Sequence, residues 1–203
     1  MRRRWICGLL CLAAAFTLSF GCSRSPSTRF YTLSPTAHQL GAAKAGRLAD
    51  AVIGVGPVRM ADYLDQAQMV TRRGDHQVVK DEFNRWAGPL RNNLLHVLAD
   101  NIGALTGSPQ VYTFPWRQAV PITFQVTVEV VRLDGYLGDR AELEARWSIF
   151  QGQDRKLLKT ARSQIVEAAA GPEYPDLVAA QSRAVGRLSQ EIVQALGAAA
   201  GRP

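Results

Sequence analysis

Cys22 is the residue best placed for covalent chemistry, because a short apolar run that follows an N-terminal arginine cluster closes on it. Met1-Arg2-Arg3-Arg4 supplies the positive start, Trp5 to Phe20 the apolar stretch, and Leu18-Ser19-Phe20-Gly21-Cys22 the end, with Ser19 and Gly21 small beside the expected cut. A signal peptidase binds its substrate extended and needs small side chains next to the scissile bond, so cleavage is expected between Gly21 and Cys22. The thiol can then carry a diacylglyceryl group, and the freed amino group a further acyl chain such as palmitate. Each buried methylene contributes about 0.8 kcal/mol, so two or three chains anchor stably where one binds only marginally. A spanning helix is the poorer reading, since Trp5 to Phe20 falls short of the ~20 apolar residues that cross a hydrocarbon core.

Other chemistry is sparse. His38, His76 and His96 fall on a loop, a turn and a helix edge, with no His-x-x-x-His pair and no second mature cysteine for zinc. There is no Gly-x-Ser-x-Gly elbow and no Gly-x-x-x-x-Gly-Lys phosphate loop. Gly54-Val55-Gly56 is followed by Pro57 and Val58 where a phosphate-binding helix would have to start, so a strand bulge is expected there instead of a dinucleotide site. Glu142 and Glu144 share one strand face and could be drawn as an acid/base pair, but alternation makes them two members of a solvated stripe. No catalytic residue, cofactor or metal is therefore assigned.

Removing Arg2, Arg3 and Arg4 with the signal lowers the formal charge from +7 to +4. Acidic and basic residues are interspersed, and no basic run interleaved with aromatics suggests nucleic acid. Cys7 and Cys11 leave with the signal, so the mature chain has no intramolecular disulfide and must be held by a packed core. The organisation expected is residues 1–21 as signal peptide, 22–29 as lipidated tether and 30–203 as one folded body. At ~3.3 Å per residue the tether reaches only about 25 Å, which keeps the body close to its membrane.

The elements of that body follow from hydrophobic period. Phe30 to Leu33 and Ala51 to Met60 read as strands, and Ser34 to Asp50 as a loop or weak helix. Gln68–Arg72 and Gln77–Phe83 flank Arg73-Gly74-Asp75-His76, good hairpin chemistry because glycine tolerates positive φ. From Pro89, the residues Leu90, Leu94, Val97, Leu98, Ile102 and Leu105 fall on one helical face, with Gly107 as a stop. Val111 to Phe114 is a short strand. Ile122 to Val130 alternates, Val130-Val131 suggests a bulge, Glu142 to Phe150 alternates again, and Gly152-Gln153-Asp154 turns into Lys156–Ala168. Pro175-Asp176 opens a terminal helix with the stripe Leu177, Ala184, Leu188, Ile192 and Leu196. Two amphipathic helices and six or seven strands predict a single α+β domain, a largely antiparallel sheet covered on one face by the helices.

Four large side chains stand in polar, loop-like surroundings: Tyr63 and Leu64 before the first hairpin, Trp86 after it, and Trp116 between Pro115 and Arg117. Each can be read as an anchor for a partner or as a cap on the core. They are the candidate partner-binding residues.

The same segments carry a resemblance. Phe30-Tyr31-Thr32-Leu33 soon after the cysteine, Val55-Gly56-Pro57-Val58, Tyr63-Leu64-Asp65 followed by Gln68, Val70 and Arg72, Arg85-Trp86 followed by Pro89-Leu90, and Pro115-Trp116 resemble, in order and spacing, the PqiC-like ABC-type transport auxiliary lipoproteins. The chain departs from the family at Ala61-Asp62, where proline is usual, and at Gln66-Ala67, where a basic residue is common. The resemblance implies a non-enzymatic periplasmic component, held by its lipid in the outer membrane of a Gram-negative bacterium. Its implied partners are a periplasmic protein carrying MCE domains and an inner-membrane permease, in a system moving phospholipids or other apolar molecules between membranes. A homo-oligomer is compatible with it, and Ser23 after the lipid cysteine agrees with outer-membrane sorting. Two rivals from other classes are a lipid-carrying protein, which needs a hydrophobic cavity, and an envelope hydrolase, which needs convergent polar groups of shifted pKa.

Overall fold

A computed structural model describes residues 27–41, 46, 48–116, 120–152 and 154–201. The expected signal, cleavage site and Cys22, and most of the tether, lie outside the described residues. The strands are β1 (Arg29–Tyr31), β2 (Ile53–Met60), β3 (Gln68–Arg73), β4 (Gln77–Trp86), β5 (Val111–Thr113), β6 (Phe124–Tyr136), β7 (Arg140–Gln151) and β8 (Lys156–Ala168). The helices are α1 (Leu90–Thr106) and α2 (Tyr174–Ala200), with a short 3-10 turn at Ala37–Gln39. Among the described residues no helix is long and apolar enough to cross a membrane.

The domain is α+β, as the alternation and the two stripes predict. The strands divide into two sheets instead of one: a small sheet ordered β1-β4-β3 and a five-stranded sheet ordered β5-β2-β6-β7-β8. The long ladders β6/β7 and β7/β8 are antiparallel, but β2 lies parallel to both β5 and β6, and β1 lies parallel to β4. All eight strands among the described residues fall on segments the sequence marks as strands, so the total of six or seven is one or two short, and the parallel pairings are what alternation did not give. β1 and β5 have only three residues each, and the partners of all these strands are remote in sequence, so periodicity carries no register information about them.

Local chemistry places the elements where it was expected to. Gly74, at φ +68°, turns β3 into β4. Gly107, left-handed at φ +71°, ends α1, and its N–H bonds the Gly103 carbonyl. The β2/β6 register shifts between Val55 and Val58, and the β6/β7 register between Val130 and Arg132, which are the two bulges read from the sequence. Glu173 and Asp176 form a reciprocal capping box that starts α2, with proline in the first turn.

All six stripe residues of α1 and all five of α2 are buried. The helices pack side by side on one face of the large sheet, α1 over β2 and β5, α2 over β6, β7 and β8. That face supplies Ile53, Val55, Val126, Val128, Leu143, Trp147 and Ile149 to a single dominant core. At Gly186 on α2 a Cβ would collide with Thr36 Oγ1, so only glycine lets the N-terminal segment approach the helix this closely. Asn101, fully buried on α1, bonds the backbone N–H groups of Thr36 and Ala37 from the other side, at 2.9 and 3.0 Å.

Candidate functional site

The segment Ala61–Ala67, between β2 and β3, carries Tyr63 and Leu64 on a turn closed by Leu64 N–H donating to the Ala61 carbonyl at 2.9 Å. Leu64 points inward and is 3% exposed, as part of the main core. Tyr63 is half-buried, and its hydroxyl donates to Asp134 Oδ1 at 2.7 Å. Asp134 sits on β6 with no solvent exposure, and its other oxygen accepts from Arg72 Nε on β3, with Arg132 Nε 3.3 Å away. A buried carboxylate is tolerable only when its charge is matched and its oxygens are bonded, and here three side chains do both.

Burial pushes the Tyr63 phenol up to about 12, and the Asp134 hydrogen bond and charge add to the shift. Burial also opposes the charge on Arg72, but its bonds to Asp134 and Tyr63 outweigh that and raise it, so the guanidinium stays cationic. The network continues outward: Arg132 Nη1 meets Glu142 at 3.3 Å, and Arg140 Nε bonds the other Glu142 oxygen at 2.7 Å. Glu144 pairs with Arg162 at 2.8 Å and its side chain is only 14% exposed. The expected solvated stripe of Glu142 and Glu144 is therefore a set of partly buried carboxylates, each held by arginine.

Trp86 ends β4 and is also part of the core at 6% exposed, with its N–H bonded to the Ala67 carbonyl at 2.8 Å. The helix start beside it is held by an ion pair between Arg91 and Asp65. A second anchor for this region is Tyr174, whose hydroxyl donates to Asp81 Oδ2 at 3.0 Å and whose phenol burial pushes up to about 12. Burial would raise Asp81 in turn, but the backbone N–H groups of Phe83 and Asn84, both donating at 2.8 Å, prevail and hold its carboxyl below the usual range.

Trp116 stands at the other end of β2. It packs edge-on against Phe114, with ring centroids 5.5 Å apart and planes at 89°. Its indole lies across Gly54, where a Cβ would come within 2.7 Å of Cη2, and Phe114 lies over Gly56, where a Cβ would come within 2.8 Å of the Phe114 Cβ. Gly54 is thus a flat seat for the Trp116 ring, and Gly56 leaves room for the Phe114 Cβ and backbone, a role beyond the bulge that the sequence reading did not find. The signal was present in Gly54 and Gly56 one pleat apart, but nothing local says which groups they admit. Beside this pair is an open cleft of about 420 Å³, lined by His96, Asp100, Tyr112, Pro115 and Trp116 among others. Tyr112 and Phe114 are 40% and 41% exposed.

The four sequence-predicted residues therefore do not form one patch. Leu64 and Trp86 are core residues, Tyr63 belongs to the Asp134 network, and Trp116 is separated from Tyr63 by the length of β2, on the order of 20 Å at the usual strand rise. His38, His76 and His96 occupy separate places, and among the described residues no group of three His, Cys, Asp or Glu could hold a metal ion.

No curated protein matches the chain in sequence. The chain is similar in fold to solved structures, among them two crystal structures. A crystal structure of an uncharacterised protein superposes with a TM-score of 0.68 at 17% identity, covering 84% of this chain and 99% of that one. One from Xanthomonas campestris superposes with a TM-score of 0.64 at 12% identity, covering 86% of this chain and 94% of that one. The match that reaches beyond the fold is to a family model covering residues 31–193, and on it the chain belongs to the ABC-type transport auxiliary lipoprotein component family.

Proposed function

We propose that this protein is a lipid-anchored docking component, held by acyl chains on Cys22 at the periplasmic face of the outer membrane, that receives the periplasmic end of an MCE-type ABC transport system. The observation that carries the reading is family membership across nearly the whole body, beginning within one short tether of Cys22. In this reading the protein is not an enzyme, and the transported cargo is a phospholipid or another apolar molecule. The partners are an MCE-domain protein and its inner-membrane permease.

The exposed aromatics Tyr112 and Phe114, with half-buried Trp116 behind them, are the contact surface we assign to that partner. Aromatic rings held by a paired strand and by edge-on packing against Trp116 lose little entropy on binding and desolvate large areas, which is how interface hot spots work. Tyr63 contributes by holding the β2–β3 turn through Asp134. The test is photocrosslinking in cells from a probe at Tyr112, with the same probe at Glu129 as control. Recovery of an MCE-type protein from Tyr112 and not from Glu129 is the expected result, and no MCE-type adduct from Tyr112 would overturn the reading.

A further inference from the structure

The face of the large sheet turned away from the helices carries a line of charge. The strand registers place Arg59 of β2 beside Glu129 of β6, Glu129 beside Arg146 of β7, and Arg146 beside Arg162 of β8. All four are exposed. Arg146 and Arg162 are direct cross-strand neighbours, an arrangement that destabilises a sheet unless each charge is drawn elsewhere. Arg162 turns diagonally to Glu144 at 2.8 Å, and Arg146 has Glu129 at 3.6 Å. Arg59 has no acidic partner within ion-pair distance among the described residues, and neither has Arg155.

Arg155 belongs to the β7–β8 turn, left-handed at φ +52°, with its guanidinium 5.4 Å from the centre of the Phe150 ring. That turn brings it to the same place as the row. Between Arg59, Arg146 and Arg155 lies a cleft of about 300 Å³, and Thr127 and Ser148 also line it. The one acidic residue lining it is Glu129, so its lining holds three arginines against one glutamate.

We propose that this cleft binds a phosphate or phosphodiester anion, held by Arg59, Arg146 and Arg155 with the hydroxyls of Thr127 and Ser148 as further donors. Guanidinium groups present paired N–H donors that match phosphate oxygens, and an anion here would also relieve the repulsion along the row. Glu129 opposes the site: it occupies Arg146 and repels an incoming anion. The assignment is independent of where the protein is anchored and of what it docks.

The test uses the full chain in a neutral detergent, with inorganic phosphate and glycerophosphoglycerol as the two soluble probes. Each is titrated at constant ionic strength against chloride, and the midpoint of thermal unfolding and binding heat are read. Saturable binding of at least one probe, with a rising midpoint, is expected. Tighter binding of the diester assigns the site to a lipid headgroup, and tighter binding of inorganic phosphate assigns it to free phosphate. Arg59→Gln or Arg155→Gln weakens binding about tenfold, as loss of one charged hydrogen bond does. Glu129→Gln strengthens it, a gain that a misfolded variant would not give. Midpoints that follow chloride for both probes, or affinities unmoved by these three substitutions, would overturn the proposal.

Discussion

Replacing Asp134 by asparagine tests how the two sheets are held together. The substitution keeps shape and one acceptor but removes the charge that compensates Arg72, whose side chain is 15% exposed, and weakens the partner of Arg132. Breaking a buried pair from one side costs about 3–5 kcal/mol, because the surviving charge is left uncompensated. Partial access of Arg72 to water and the remaining Tyr63 bond place Asp134→Asn at the lower end, roughly 3 kcal/mol. For a chain of this length each kcal/mol moves the thermal midpoint by ~2–4 °C, so a fall of about 10 °C is expected by circular dichroism. The paired change Asp134→Leu with Arg72→Met removes both charges and should recover most of the loss, leaving mainly the unpaired Tyr63 hydroxyl at a cost of about 1 kcal/mol. A midpoint drop under about 3 °C for Asp134→Asn, or no recovery in the double variant, would refute the view that this carboxylate is the charged link between β3 and β6.

Two further perturbations probe the remaining anchors. Gly54→Ala drives a methyl into the Trp116 indole and should cost about 1–3 kcal/mol in overpacking, with a shift in tryptophan emission as the ring is displaced, while unchanged emission and stability would show that the ring does not rest there. The pH dependence should have two limbs. Asp81, held below its ordinary 3.8, contributes stability that is complete above that pH and disappears as pH falls through its folded value, so Asp81→Asn should flatten the acid limb. Tyr63 and Tyr174, both pushed up to about 12 from 10, contribute stability that is present below pH 10 and lost between 10 and 12, so Tyr63→Phe with Tyr174→Phe should flatten the alkaline limb in equilibrium denaturation.

The elements that organise this fold were legible where a long segment kept one period. Strand β8 runs over the residues expected as the return arm of the second long hairpin, the α1 stripe is buried at every position, and Val130 carries its bulge. Less legible were contacts whose members are remote. Nothing near Arg72 or Tyr63 in sequence points to Asp134, 62 and 71 residues away, and strands of three residues such as β1 and β5, though marked as strands, carry no sign of their parallel partners. Leu64 and Trp86 show the same limit from the other side, since their polar neighbours left anchor and core cap both open, and the chain folds both into the core. The row Arg59, Glu129, Arg146 and Arg162 becomes a row only through strand pairing, because its members lie on four different strands.

The account rests on the body working within reach of a bilayer because acyl chains hold it there, and Cys22→Ser tests that most directly. Envelope fractions from cells making either the wild-type protein or the Cys22→Ser variant would be compared by carbonate extraction, with intact mass read on the N-terminal peptide. The account predicts a wild-type mature chain that begins at Cys22, carries diacylglyceryl and acyl mass, and stays with the membrane, while the Cys22→Ser protein is released. A Cys22→Ser protein as firmly attached as the wild type, or a wild-type Cys22 with no added acyl mass, would contradict it.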